Sequence, residues 1–124
     1  MSRMQRLTII VASADGARLY SALETAMAWA ALGRRARIFA QGEAVALLRM
    51  PLAFDGDAAR RAAGQLDLAA MLDEAAAMAV ELVACQSGAA IAGLTAPDLP
   101  PQLKAGGLVS LLSDVTPDDR LIVY

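Results

Sequence analysis

The chemistry open to this chain turns on one thiol. Among 124 residues there is a single cysteine, Cys85, and no histidine. Cys85 ends the short apolar run Glu81–Ala84 and is followed by Gln86, Ser87 and Gly88. If Ser87 caps a short helix running from Gly88 onward, Cys85 lies just before its N-terminus, where unpaired amides and the positive end of the helix dipole favour an anion. Such a setting lowers a cysteine pKa from about 8.5 toward neutrality, and the thiolate is the form that attacks sulfur or peroxide. A persulfide anion gains from the same amides. The run Val83, Ala84, Cys85 equally fits a small buried side chain that only fills space beneath a helix. Spacing and composition leave both readings open.

The residues around the thiol extend the candidate site. Gln86 is placed to hydrogen-bond the sulfur, and Ser13 or Asp15 can reach across if the first and third strands are neighbours in the sheet. For Asp15 and Ser87 helix capping is the plainer role. The missing residue types exclude more than the present ones establish. Without histidine the chain lacks the commonest metal ligand, the usual general base and any Cys/His or Ser/His dyad, so no metal site is expected. One cysteine excludes an intramolecular disulfide and offers no internal resolving thiol, so a redox sensor built on Cys85 needs an external one. Gly106 and Gly107 are adjacent rather than spaced as GxGxxG, and no GxxxxGK[ST] occurs, so no nucleotide cofactor is expected.

Elements that position the thiol are legible from periodicity. Leu7–Ala12, reading LTIIVA, is a β-branched apolar run that suits a buried strand, and Ser13, Ala14, Asp15 and Gly16 make the loop after it. From Arg18 to Leu32 apolar residues recur at helical spacing, and Gly33 ends the run. Trp29 and Leu32 fall off that apolar stripe, which suits either a subunit interface or cover by a neighbouring loop. Ala36–Ala40, reading ARIFA, is a second strand, followed by a short helical stretch over Glu43–Arg49. Met50–Gln65 reads as an exposed loop with one helical turn, either an ordinary surface loop or a lid over the site. Asp67 then caps a helix through Ala79 whose inner face carries Leu68, Met71, Leu72, Ala75 and Met78, the methionines being core filler rather than a metal box. Glu81–Ala84 is a third strand. Pro97, Pro100 and Pro101 force a loop, Leu108–Leu112 fits helix or strand, and Arg120–Tyr124 is a last strand. Strands alternating with helices predict a parallel sheet covered on both faces, with ligands and reactive groups collecting beyond the carboxyl ends of the strands. Cys85 stands at one of those ends.

The whole chain fits one domain, residues 1–124. Its apolar fraction of 57% owes much to alanine, and no apolar run approaches the roughly 18 residues that span a membrane. Met1–Arg6 carries two arginines, but the apolar stretch behind it is too short for a secretory signal, so the cytoplasm is the expected compartment. The formal net charge is -2 and the basic residues are scattered, which leaves no footprint for nucleic acid.

The phrase ELVACQS through Cys85 resembles the cysteine segment of the DsrE/DsrF-like family of sulfur-relay proteins. LTIIVASAD, the alanine-rich helix ending ALG before ARIFA, AGLTAPDL and GGLVSLL are similar to that family's pattern in the same order, over nearly the whole chain. The resemblance implies an α/β fold, a three-layer α/β/α subunit with a mostly parallel central sheet of about five strands, commonly assembled as a homotrimer or homohexamer. It implies that Cys85 accepts sulfane sulfur as a persulfide and passes it on, with a rhodanese-like donor and a TusA-like acceptor as partners, a sulfurtransferase-type role. The competing reading is a noncatalytic oligomeric module that binds a small ligand or partner, with Cys85 unreactive.

Overall fold

The computed structural model describes residues 5–124. Of the stretch Met1–Arg6, read above as lacking a secretory signal, residues 1–4 lie outside the described residues. Five strands form the sheet: β1 (Leu7–Val11), β2 (Ala36–Ala40), β3 (Glu81–Cys85), β4 (Lys104–Gly106) and β5 (Arg120–Val123). Their spatial order is β4-β3-β2-β1-β5, and every neighbouring pair is parallel. All residues of β1 and β2 are buried. That is why both read as nearly apolar runs, broken only by Thr8 and Arg37, rather than as alternation, since a parallel sheet is covered on both faces.

The helices are α1 (Gly16–Ala31), α2 (Asp57–Ala62), α3 (Leu68–Ala77), α4 (Gln86–Ile91) and α5 (Leu108–Ser113), with 3₁₀ turns at Gly42–Leu48 and Ala96–Asp98. α1 and α3 cover one face, where Leu19, Leu23 and Leu72 meet Ile38, Ala40 and Leu82. On the other face Arg37, Phe39 and Val83 lie beneath Ser110 and Leu111 of α5. This is a three-layer α/β/α arrangement. α1 begins where the Asp15 carboxylate accepts the Ala17 amide at 2.9 Å, and it passes into a turn at Gly33, whose φ of +79° favours a residue without a Cβ. Asp67 caps α3 by accepting the Ala70 amide. Met71 is buried in the core, whereas Met78 closes α3 half-buried.

Two features depart from the sequence reading, and an alternative left open by it is resolved. β4 is a three-residue edge strand whose Lys104, Ala105 and Gly106 carry no strand pattern; it is held by pairing with Val83, Ala84 and Cys85. α2 is longer than the one helical turn read within the Met50–Gln65 loop, and its anchor is Asp57, a buried carboxylate that accepts the amides of Phe54 and Leu68. Leu108–Leu112, open between helix and strand, is helical, with Leu111 turned into the core. Across the sheet, the buried Arg37 donates to Thr8 Oγ1 at 2.7 Å and to Asp114 at 2.9 Å, while Asp114 also accepts from Arg6. This network ties the end of α5 to β1 and β2.

Candidate functional site at the carboxyl end of β3

Cys85 closes β3 and occupies the cap position of α4, so the helix begins at Gln86. Ser87 therefore lies inside the first turn rather than capping it, which corrects the expectation of a helix starting at Gly88. The cause is local: Cys85 keeps extended backbone angles, φ -63° and ψ 124°, and the chain turns directly after it. From the first turn the Ser87 hydroxyl sits 3.1 Å from the Cys85 sulfur. The amides of Gly88 and Ser87 approach from the same turn, and the amide of Gly42 comes from the loop after β2.

The electrostatic balance on the thiol has two sides. Burial acts to raise its pKa, because a charged sulfur loses solvation. The Ser87 hydroxyl, then the amides of Gly88, Gly42 and Ser87, stabilise the thiolate and outweigh burial, so the pKa lies below the ordinary cysteine value. Only 5% of Cys85 is exposed, while Gln86 and Ser87 beside it are exposed. A reagent or partner thus meets these two side chains first.

Gly42 and Gly88 belong to the site although their types gave no chemical signal. Gly42 has φ +57°, a conformation that turns its amide back across the strand ends and that a Cβ would strain. Gly88 packs against it closely: a Cβ there would stand 2.6 Å from the Gly42 carbonyl oxygen and 2.8 Å from Val45 Cγ2. The visible signal was a glycine after the β2 run and another three residues beyond the cysteine.

Ser13 and Asp15 lie elsewhere. Their reach toward Cys85 required β1 and β3 to be neighbours, but β2 stands between them, a separation of about 9.5 Å at two inter-strand spacings. Asp15 caps α1 and pairs with Arg18 at 3.7 Å. The Ser13 hydroxyl is buried and finds no hydrogen-bond partner among the described residues. The Met50–Gln65 segment leans on the same end of α1: Phe54 lies against Gly16, and Arg60 stacks 3.2 Å from the centre of the Tyr20 ring. Trp29 is half-buried, donating to the Gln5 carbonyl beneath the Arg34 guanidinium, while Leu32 is exposed. Among the described residues, no three His, Cys, Asp or Glu side chains gather as a metal site, and no helix is long and apolar enough to cross a membrane.

A parallel α/β/α layer structure with a thiol at a strand end, held among amide and hydroxyl donors, defines the class of protein. The family follows from the sequence: residues 5–124 match the model of the DsrE/DsrF-like family, and the chain belongs to it. The fold is shared with the ychN protein from E. coli, at a TM-score of 0.74 and 21% identity over 98% of this chain and 100% of that one. It is shared also with MTH1491 from Methanobacterium thermoautotrophicum, a protein of unknown function, at a TM-score of 0.73 and 15% identity over 97% and 99% of the two chains. No curated protein sequence matches the chain.

Proposed function

We propose that the protein is a sulfur-relay carrier that holds sulfane sulfur as a persulfide on Cys85 and passes it to a partner thiol. The observation that carries this reading is the placement of Cys85 at the end of β3 in a cradle of four donors, the Ser87 hydroxyl 3.1 Å from its sulfur and the amides of Gly88, Gly42 and Ser87, which favours the thiolate. Membership of a family associated with sulfur relay supports it. In the loading step the Cys85 thiolate attacks the outer sulfur of a donor persulfide, the donor's S–S bond breaks, and the donor leaves as a thiolate. In unloading, a partner thiolate attacks the terminal sulfur on Cys85, and Cys85 departs as the thiolate that the cradle favours. Neither step consumes an oxidant or a reductant. A rhodanese-like donor, a TusA-like acceptor, a cytoplasmic setting and a homotrimer or homohexamer complete the proposal. Leu121 and Val123, exposed on edge strand β5, offer apolar surface for such an assembly.

The burial of Cys85 favours a second reading, a noncatalytic binding module in which the thiol is packing. Intact-mass analysis after incubation with thiosulfate, polysulfide or a persulfidated rhodanese separates the two. The carrier gains one sulfur atom reversibly, Cys85→Ser gains none, and the thiol alkylates below the pH of a free cysteine. A wild type that gains no sulfur and alkylates only when unfolded overturns the carrier reading.

A further inference from the structure

We propose that the outer edge of β5 pairs antiparallel with the same edge of a second copy of this chain, about a two-fold axis at Ile122. The inference does not rest on the relay reading, and of the assemblies named with that reading only the hexamer contains two-fold axes. β5 ends the sheet, and its apolar residues Leu121, Ile122 and Val123 are 46%, 36% and 61% exposed. An edge left in this state attracts a further strand, and proteins guard edges with short strands, lysine or proline. The opposite edge has such guards: β4 is three residues long, begins at Lys104 and ends at Gly106, and Pro100 and Pro101 come just before it. β5 carries a charge only at Arg120 and has no proline.

The backbone decides the occupant. The Arg120 and Tyr124 amides donate inward, to the carbonyls of Arg6 and Ile10, and the Tyr124 carbonyl accepts from Ala12. Ile122, in register with Ile9, shares their direction, because a strand alternates with a period of two. Leu121 and Val123 thus turn both amide and carbonyl outward. An antiparallel copy centred on Ile122 sets each Leu121 against Val123 of the other chain, and these groups alone form four hydrogen bonds, two in each reciprocal pair. Slipped by two residues toward Arg120, the copies keep one such pair, since the Asp119 amide already donates to Thr116. In the centred register Leu121 meets Val123 on the face marked by Thr8 and Arg37, and Ile122 meets Ile122 on the other. Charge fits as well. The two Arg120 positions fall at opposite ends, about 13 Å apart over four residues of strand, beyond the screening length of about 8 Å at physiological ionic strength. A strand of another protein would have to reproduce this spacing, whereas a second copy carries it by identity.

Four residues a side make an interface below the standard size, so a dissociation constant in the micromolar range is expected. Sedimentation equilibrium of the full chain from micromolar to millimolar concentration should show association in multiples of two. Val123→Pro removes one outward amide from each copy and no hydrogen bond within either, so the fold should persist while the dissociation constant rises about thirtyfold for two lost bonds. In a Cys85→Ser background, Ile122→Cys should oxidise with copper phenanthroline to a disulfide-linked dimer, because a non-hydrogen-bonded antiparallel pair holds its Cα atoms about 4.5 Å apart. Arg120→Cys should not. A monomer at every concentration, an odd-numbered assembly, Val123→Pro associating like wild type, or Arg120→Cys linking as readily as Ile122→Cys would overturn the proposal. Sulfur loading on Cys85 is read separately. A monomer that gains sulfur sinks the edge pairing alone, and a paired chain that gains none sinks the relay alone.

Discussion

Gly88 packs so closely on Gly42 that Gly88 has no room for a side chain: a Cβ on Gly88 would lie 2.6 Å from the Gly42 carbonyl oxygen and 3.0 Å from its amide nitrogen. The contact joins α4, which follows the thiol, to the turn after β2, which contributes an amide to it. Two loops from adjacent strands are thereby locked at the distance at which both can face one sulfur. The relationship turns a packing detail into a chemical one, because the donors on Cys85 hold their positions only while the glycines remain in contact.

Gly88→Ala should accordingly raise the Cys85 pKa and cost stability. The added methyl displaces the Gly42 turn, withdraws its amide from the sulfur, and overpacks Val45, at about 1–3 kcal/mol. Alkylation rate against pH and urea unfolding report the two effects separately. A variant that is destabilised but alkylates with the wild-type pH midpoint would show that the Gly42 amide contributes nothing to the thiolate.

The pH dependence has a defined sign. Because the folded pKa of Cys85 is lowered below the ordinary cysteine value, the cradle's contribution to stability is fully present above the unfolded-state value and is lost as pH falls through the folded one. The stability difference between wild type and Cys85→Ala should therefore grow as pH rises through that window. Ser87→Ala, which removes the strongest donor, should move the alkylation midpoint upward and shrink the growth. Equilibrium unfolding across mildly alkaline pH measures this, and a difference that stays flat with pH contradicts it.

Periodicity located β1, β2, α1 and α3 closely, because their apolar residues repeat at the spacing of a buried strand or a helix face. Ala36–Ala40 coincides with β2, and Asp67 caps α3 as its type suggests. β4 was invisible since Lys104–Gly106 has no pattern of its own and exists through pairing with β3. α2 was legible only as one helical turn without bounds, because its anchor, Asp57, resembles any loop aspartate until Leu68, eleven residues on, donates to it. At the site, Cys85 and Ser87 were legible as chemical types, whereas Gly42 contributes a backbone amide that no side chain announces. The distance of Ser13 and Asp15 from the thiol followed from strand order, a long-range property that local sequence does not encode.

Arg37 should be the costliest polar residue to remove. It is buried and supplies donors to Thr8 Oγ1, Asp114 and the Leu111 carbonyl. Arg37→Ala leaves the buried Thr8 and Leu111 oxygens without this donor and opens a void beneath α5, lowering stability by about 2–3 kcal/mol. The acid limb follows from its partner. Hydrogen bonds from Arg6, then charge attraction to it and a bond from Arg37, hold the Asp114 pKa below 3.8, so its contribution is present above that value and disappears as pH falls below it. Asp114→Asn should destabilise the protein at neutral pH and converge on wild type in acid. Parallel unfolding curves at both pH values check it, and an equal penalty at both would contradict the assignment.

The contact of Phe54 with Gly16 makes a last prediction about the 50–65 segment. The Phe54 ring occupies the space where a Cβ on Gly16 would stand, and a Cβ on Gly56 would lie 2.7 Å from Phe54 Cε2. Both glycines are thus spaces into which the ring is pressed, and Arg60 completes the stack between Phe54 and Tyr20. Gly16→Ala must expel the ring, since backbone at the start of α1 is fixed by the Asp15 cap. Expulsion loosens Arg60 from the Tyr20 ring on α1 and opens it to trypsin, so limited proteolysis should cut the variant at Arg60 well before wild type. The Cys85 alkylation midpoint should stay unchanged, because the segment leans on α1 and contributes no donor to the thiol. A variant whose thiol chemistry moves together with its protease sensitivity would instead show that the segment covers the site.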